Sequence, residues 1–465
     1  MALLEGKPMS NVDAAWLHME SPTNLMLITG VMSFYEKLDF DELKELIEDR
    51  LLPFERFRQK VALSTVPGLG PRWVDDEHFN LRAHLQRVAL PDPGGQKELQ
   101  ELVSTIMSTP LDYSKPLWQF QYIENYRGGS AVVAKIHHCI ADGIALVRVL
   151  LSLTDDSPKG SAKVRRGHRR RKPLGQGFWL PEVVNDAVYS VSRVTARLVD
   201  KTLETLSDPS RAAEMMTEGA KGTAVLARLA TMPADPETIF KGELTTSKRC
   251  AWSRVLPLED VKAYSKSKGA TINDVLLAGV TGAIRRYLIG RNVDVEDDLD
   301  IRAVVPVNLR PESDIINLGN RFGLVFLALP IGIADRDDRL TELKQRMDAI
   351  KRSSEPMVIF ALLNAVGLTG PKVESVALQL FGSKATAVMT NVPGPREEIY
   401  LAGKAMRSMM FWVPQSARLG LGVSILSYAG QVRLGVATDS GLVPDPETII
   451  DAFQQEMASL IKEHG

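Results

Sequence analysis

Seven consecutive residues, His137-His138-Cys139-Ile140-Ala141-Asp142-Gly143, concentrate the reactive side chains of this sequence. A histidine with a carboxylate four residues on suits general-base work, because neutral imidazole titrates near the pH at which most proteins operate. The apolar run 131–134 reads as a buried strand leading in, and the apolar face over 144–151 as a helix leading out. Adjacent side chains on an extended backbone point to opposite faces, so a metal site using both His137 and His138 is strained. The plainer alternative is one histidine satisfied by a backbone carbonyl in the core, with the other packed beside it. Cys139 invites a thiol-nucleophile reading, but residues adjacent in sequence do not easily form the hydrogen bond that activates a thiol. GxSxG, HExxH, Walker-loop and CxxC patterns are absent from the sequence.

Further groups deserve a chemical reading beside a structural one. Asn273 and Asp274 fall in the first turn of a helix over 271–288, where helix capping explains them as well as a site does. Asn391-Val392-Pro393-Gly394-Pro395 follows a strand and is a rigid turn. Pro116-Leu117-Trp118 opens another strand. Asp75, Asp76, Glu77 and His78 are either a metal site or, more simply, a solvated loop. Phe54, Arg56, Phe57 and Arg58 read as a solvated turn with two packed aromatics. The basic block Arg165, Arg166, Arg169, Arg170, Arg171 and Lys172 is a solvated linker or a patch for anionic phospholipid or cofactor phosphates.

The elements that would position these residues mix strands and helices throughout. Helices are expected over 11–20, 39–51, 96–107, 258–268, 271–288, 337–351 and 445–461. Strands are expected over 25–35, 249–256, 302–307, 323–330, 385–390, 420–426 and 431–437. Residues 180–229 read as mostly helical. A chain of 465 residues is long for one hydrophobic core, so two or three domains are expected. The boundaries read as 1–154, a basic linker and helical crossover over 155–235, and 236–465.

The net charge of −1 argues against nucleic acid as a partner. Two cysteines, Cys139 and Cys250, imply no disulfide framework and suit a reducing, cytoplasmic setting. The sequence has no signal-peptide pattern and no apolar run of about 18 residues, so membrane contact is expected to be peripheral.

The heptad of residues 137–143 resembles the HHxxxDG motif of the bacterial wax ester synthase/diacylglycerol acyltransferases. Pro116-Leu117-Trp118, Asn273-Asp274 and Asn391 to Pro395 are similar to that family's other signatures, in the same order. Asp13-Ala14-Ala15-Trp16 with Glu20-Ser21-Pro22 resembles its start. The resemblance covers nearly the whole chain. It implies an α/β fold of two chloramphenicol acetyltransferase-like domains joined by a crossover, with the active site in a tunnel between them. It further implies acyl-CoA as co-substrate, no metal, and a fatty alcohol or diacylglycerol as acceptor. His138 would be the general base and His137 would orient the loop. Asp142 would be structural, paired with an arginine such as Arg310, and Gly143 would permit close approach at the tunnel. Asn273 is the candidate oxyanion donor. Pro116, Leu117 and Trp118 would shape the tunnel wall, and the turn with Asn391, Pro393 and Gly394 would support the site. Contact with the inner membrane or lipid inclusions would be peripheral. Two alternatives stand beside this reading: a same-fold acyltransferase using a carrier-protein thioester or polyketide-like alcohol, and a non-catalytic lipid-surface protein.

Overall fold

A computed structural model describes residues 6–63, 70–159, 228–229, 231–309, 318–353, 355–366, 382–415 and 419–462. The basic block over 165–172, Arg310 and nearly all of 180–229 lie outside these residues. After a two-residue strand β1 (Lys7–Pro8), the Ser10 hydroxyl accepts the Asp13 amide at 3.2 Å and starts helix α1 (Asn11–His18). Strand β2 (Leu27–Phe34) is buried along its whole length, and Asp39 caps α2 (Phe40–Arg50) through the amides of Asp41 and Glu42. Short strands β3 (Gln59–Ala62) and β4 (Arg72–Asp75) form a small sheet with β1. Next come α3 (Leu81–His84), β5 (Leu85–Val88) and the amphipathic α4 (Gln96–Met107). Strands β6 (Trp118–Tyr126) and β7 (Gly129–His137) form a hairpin, and α5 (Gly143–Ser152) follows.

The second half begins with β8 (Lys248–Trp252), β9 (Leu256–Pro257), α6 (Leu258–Ser267) and α7 (Ile272–Gly290). It continues through β10 (Asp300–Asn308), β11 (Phe322–Pro330), α8 (Arg336–Lys351) and α9 (Glu355–Val366). The last elements are β12 (Ala387–Pro393), β13 (Tyr400–Leu401), β14 (Lys404–Trp412), β15 (Leu421–Tyr428), β16 (Gln431–Asp439) and α10 (Pro446–Lys462).

Two large sheets result. One runs β11-β10-β12-β15-β16-β8, with β9 also on β16. The other runs β13-β14-β2-β7-β6-β5, so a hairpin from residues 400–412 completes the sheet of the first half. In register, Leu27 faces His137 across β2 and β7, while Trp412 faces Thr29 across β14 and β2. Each sheet has its own apolar core: Trp73, Trp118, Phe57 and Trp412 lie in one, and Phe240, Tyr264, Val280 and Phe453 in the other. Both faces of β7 are covered, which explains its run of small and β-branched residues. The halves interlock further where Ser104 of α4 and Ser108 at its C-terminal cap accept the backbone amides of Cys250 and Lys248, at 3.0 and 2.8 Å.

Candidate active site

The histidine pair sits where β7 stops. His137 is the last ladder residue; the His138 amide turns aside to Met26 O at 2.8 Å, and Ile140 N closes a turn on His137 O at 3.0 Å. Asp142 then caps α5, its Oδ1 accepting Ala145 N–H at 2.8 Å. Strand geometry separates the two rings, and each meets a different set of partners.

His137 is fully buried and fully occupied. Its Nδ1 accepts the Cys139 amide at 3.1 Å, which assigns the proton to Nε2, and Nε2 lies 3.0 Å from Glu20 Oε2. Glu20 also accepts Met26 N–H at 3.0 Å and the Tyr113 hydroxyl at 2.9 Å. Burial works against the Glu20 charge, but these donors outweigh it and hold the carboxyl below its usual range. Both ring nitrogens of His137 are thus engaged within the protein. Two residues earlier on the same face, buried Lys135 donates to Thr109 O at 3.1 Å, and burial pushes its ammonium down to about 8.

His138 is 4% exposed. Its ring stacks on Trp16 with centroids 4.1 Å apart and leans on Phe322 at 5.7 Å. Its Nδ1 is sealed without a hydrogen-bond partner among the described residues. Burial pushes the imidazole down to about 4, with His137 acting in the same direction and Asp142 opposing. The ring is therefore neutral at physiological pH, the form a base requires. Cys139 is completely buried, and burial drives its thiol well above the ordinary range, so it supplies no thiolate.

The segment just before β11 reaches in from the second half. Asn320 Nδ2 donates to Asp13 Oδ1 at 2.8 Å and to the His138 carbonyl at 2.9 Å, and its backbone N–H also reaches Asp13 Oδ1, at 3.0 Å. Arg321 N–H donates to Asp142 Oδ2 at 3.0 Å, and Gly319 O accepts the Asp142 amide at 3.4 Å. Gly319 has φ +108°, a backbone conformation that residues with a side chain rarely adopt. Burial raises the Asp13 pKa despite its donors. Asp142 thus joins the halves through described backbone groups, while Arg310, its expected partner, lies outside the described residues.

The other expected residues divide into two groups. Asn273 and Asn391 come together: Asn391 Nδ2 donates to Asn273 Oδ1 at 2.6 Å, linking the start of α7 to the end of β12. No hydrogen bond joins either to His138 among the described residues. The turn holding Pro393 and Gly394 is clamped to β15, with Gly394 N to Ser427 O at 2.8 Å; a Cβ at Gly394 would lie 2.4 Å from that oxygen. Gly143 is different, since a Cβ there would meet only Val413 at 3.8 Å, leaving open space at the first turn of α5.

Pro116, Leu117 and Trp118, the residues expected to shape the tunnel wall, are all buried. Leu117 and Trp118 belong to the first core: Leu117 O accepts His137 N–H at 2.9 Å, and Trp118 Nε1 donates to Phe57 O at 2.9 Å while its ring stacks on His84. They brace the histidine strand from within. At 75–78, Asp75 accepts from Gln59 and Asp76 lies 3.7 Å from Lys60 Nζ; no group of three or more His, Cys, Asp or Glu able to hold a metal occurs among the described residues. Arg56 lies over the Trp73 ring at 4.1 Å instead of in solvent.

Sequence reasoning missed the roles of Asp13, Trp16, Glu20, Asn320 and Phe322. The first three were visible in the N-terminal similarity but carried no assigned chemistry. Asn320 had only a Gly-Asn turn signal ahead of a strand.

Similarity to solved structures places this architecture in one class. The first condensation domain of the calcium-dependent antibiotic synthetase matches with a TM-score of 0.64 at 14% identity, over 98% of this chain and 96% of that one. The wax ester synthase/diacylglycerol acyltransferase from Marinobacter aquaeolei VT8 matches with a TM-score of 0.69 at 22% identity, over 98% and 99%. The family model of the wax ester synthase/diacylglycerol acyltransferase catalytic domain matches residues 9–276, and that of the family's C-terminal domain matches 318–461. The chain belongs to the wax ester synthase/diacylglycerol acyltransferase family. A probable diacylglycerol O-acyltransferase of Mycobacterium tuberculosis H37Rv is 28% identical over 475 aligned positions, covering 97% of this chain and 95% of the relative.

Proposed function

We propose that the protein is an acyl-CoA-dependent O-acyltransferase that esterifies a fatty alcohol or diacylglycerol with a long-chain acyl group. The observation that carries this reading is His138: buried, neutral, stacked on Trp16 and braced from both halves in a chain of this family. With Nδ1 enclosed, Nε2 is the nitrogen left to meet a substrate hydroxyl. It takes the hydroxyl proton as the oxygen attacks the thioester carbonyl, giving a tetrahedral oxyanion without a covalent acyl-enzyme. Collapse breaks the carbon–sulfur bond, and the imidazolium returns its proton to the leaving thiolate. We assign oxyanion stabilisation to Asn273, steadied by Asn391, with Gly143 leaving room for the reacting carbonyl. Acyl-CoA is the only co-substrate in this scheme.

We also place the connection between the halves in 155–235, with the hairpin at 400–412 as the strand exchange between them. No helix among the described residues is long and apolar enough to cross a membrane. The test is thiol release from long-chain acyl-CoA against hexadecanol and diacylglycerol, with the ester identified by mass. Ester formation supports the reading. Turnover only with a loaded carrier protein would replace the donor, and vesicle binding without any turnover would remove the enzyme.

A further inference from the structure

Three arginines lie along the seam where the two sheets adjoin, Arg127 being tied to it through Gln96, whose Nε2 donates at 3.0 Å to Trp252 O of β8, the strand paired with β16. Arg127 sits in the turn between β6 and β7, Arg407 at the bulge of β14, and Arg433 on β16. Gly435, two residues along from Arg433 and therefore on the same face of β16, lies against Met410 and Trp412 of β14. The face of Arg433 is thus turned toward the crossover strand. Two tyrosines frame the group: Arg407 stands over Tyr35 at 4.9 Å, and Arg127 over Tyr126 at 5.6 Å.

The charges are unusual in having no counter-ion. No carboxylate pairs with any of the three among the described residues, and the only side-chain acceptor in reach is Gln96 Oε1, at 3.3 Å from Arg127. Nearby acids are engaged elsewhere: Glu36 with Lys404, Glu398 with the Tyr400 hydroxyl and Glu124 with Arg87. Arg433 is only partly exposed; burial and repulsion from Arg127 and Arg407 lower its pKa. A partly buried guanidinium such as that of Arg433, with like charges nearby and no anion, carries a desolvation and repulsion cost that a bound anion would relieve. Their planar donors match phosphate oxygens in particular.

We propose that Arg127, Arg407 and Arg433, framed by Tyr35 and Tyr126, form a binding site for phosphate esters across the seam between the two halves. The acyl-transfer reading assigns no residue to phosphates. Two molecules of this chemistry are relevant to it: the nucleotide end of coenzyme A and the headgroup of an anionic phospholipid.

The experiment measures binding to the full chain without turnover, so an error in the acyl-transfer reading does not affect it. Coenzyme A, 3′-dephospho-coenzyme A and pyrophosphate are titrated calorimetrically. Vesicles of phosphatidylcholine with and without phosphatidylglycerol are tested by co-sedimentation. The double variant Arg407→Gln/Arg433→Gln should weaken either coenzyme A or anionic-vesicle binding by about tenfold or more. Arg127→Asn should weaken the same ligand; Asn suits the φ of 48° at that exposed turn, which keeps the test valid if the strand variants do not fold. A loss confined to coenzyme A identifies the nucleotide, and a loss confined to phosphatidylglycerol vesicles identifies the headgroup. Unchanged binding of every probe by every folded variant would overturn the proposal.

Discussion

Asn320→Ala tests whether the second half holds the base in place. The substitution removes the amide hydrogens that reach Asp13 Oδ1 at 2.8 Å and the His138 carbonyl at 2.9 Å, leaving the backbone bond to Asp13 at 3.0 Å. A hydrogen bond to a charged group is worth about 1.5–3 kcal/mol, and orphaning a buried carbonyl costs about 1–3 kcal/mol. Allowing for relaxation, a destabilisation of about 2–4 kcal/mol is expected in denaturant unfolding. Catalysis should suffer separately, because the carbonyl belongs to the same residue as the base. A misplacement of about 1 Å costs on the order of 100-fold in rate. Thiol release should therefore show kcat down about 100-fold with KM for acyl-CoA little changed. Asn320→Asp should be worse than Ala, since a second carboxylate would face Asp13. Such a pair shares a proton and has one raised pKa, so the extra instability should be absent at acid pH and grow as pH rises through that value. An Asn320→Ala protein with stability and kcat both within twofold of the parent would refute the bracing argument.

Other consequences can be checked with the same assays. Glu20→Ala leaves the His137 Nε2–H and the Met26 N–H without their acceptor, and should cost about 2–4 kcal/mol in unfolding and lower kcat more than it raises KM; unchanged unfolding would remove the tautomer-holding role. Because the His138 pKa falls from 6.5 unfolded to about 4 folded, its neutral form contributes stability that is present above pH 6.5 and lost as pH falls toward 4. The full contribution is about 3 kcal/mol, and it should disappear from the pH profile of His138→Ala unfolding; identical acid slopes in both proteins would contradict it. Gly143→Ala should leave unfolding within about 1 kcal/mol, since its Cβ meets only Val413 at 3.8 Å, yet reduce turnover by blocking approach; normal turnover would show that substrate does not pass there.

The local parts of this arrangement were legible before any coordinates. Residues 144–151 carry an apolar stripe, and the observed α5 spans Gly143–Ser152; that Asp142 caps it is a finding of the structure. The buried run into His137 is equally plain, because a strand covered on both faces has little choice but small and β-branched residues. What stayed hidden depends on contacts distant in sequence. Strand β14, Lys404–Trp412, is rich in methionine and interrupted by Arg407 and a bulge, so it lacks a strand's alternating signature. It gains its partner from β2, far back in the chain. Asn320 looks like a turn residue, and nothing local tells that its amide spans Asp13 and His138. Asn273 and Asn391 each drew notice alone, but only folding shows that they bond each other. Trp118 stood out only as part of a signature string, and nothing local tells that its indole donates to Phe57 O inside the core.

The central claim is that His138 is the base for acyl transfer, and steady-state turnover of His138→Ala with acyl-CoA and its best alcohol acceptor tests it most directly. The account predicts a fall in kcat of about 10²–10⁴-fold, with the folded protein retained. A His138→Ala enzyme forming ester at a rate within tenfold of the parent would contradict it.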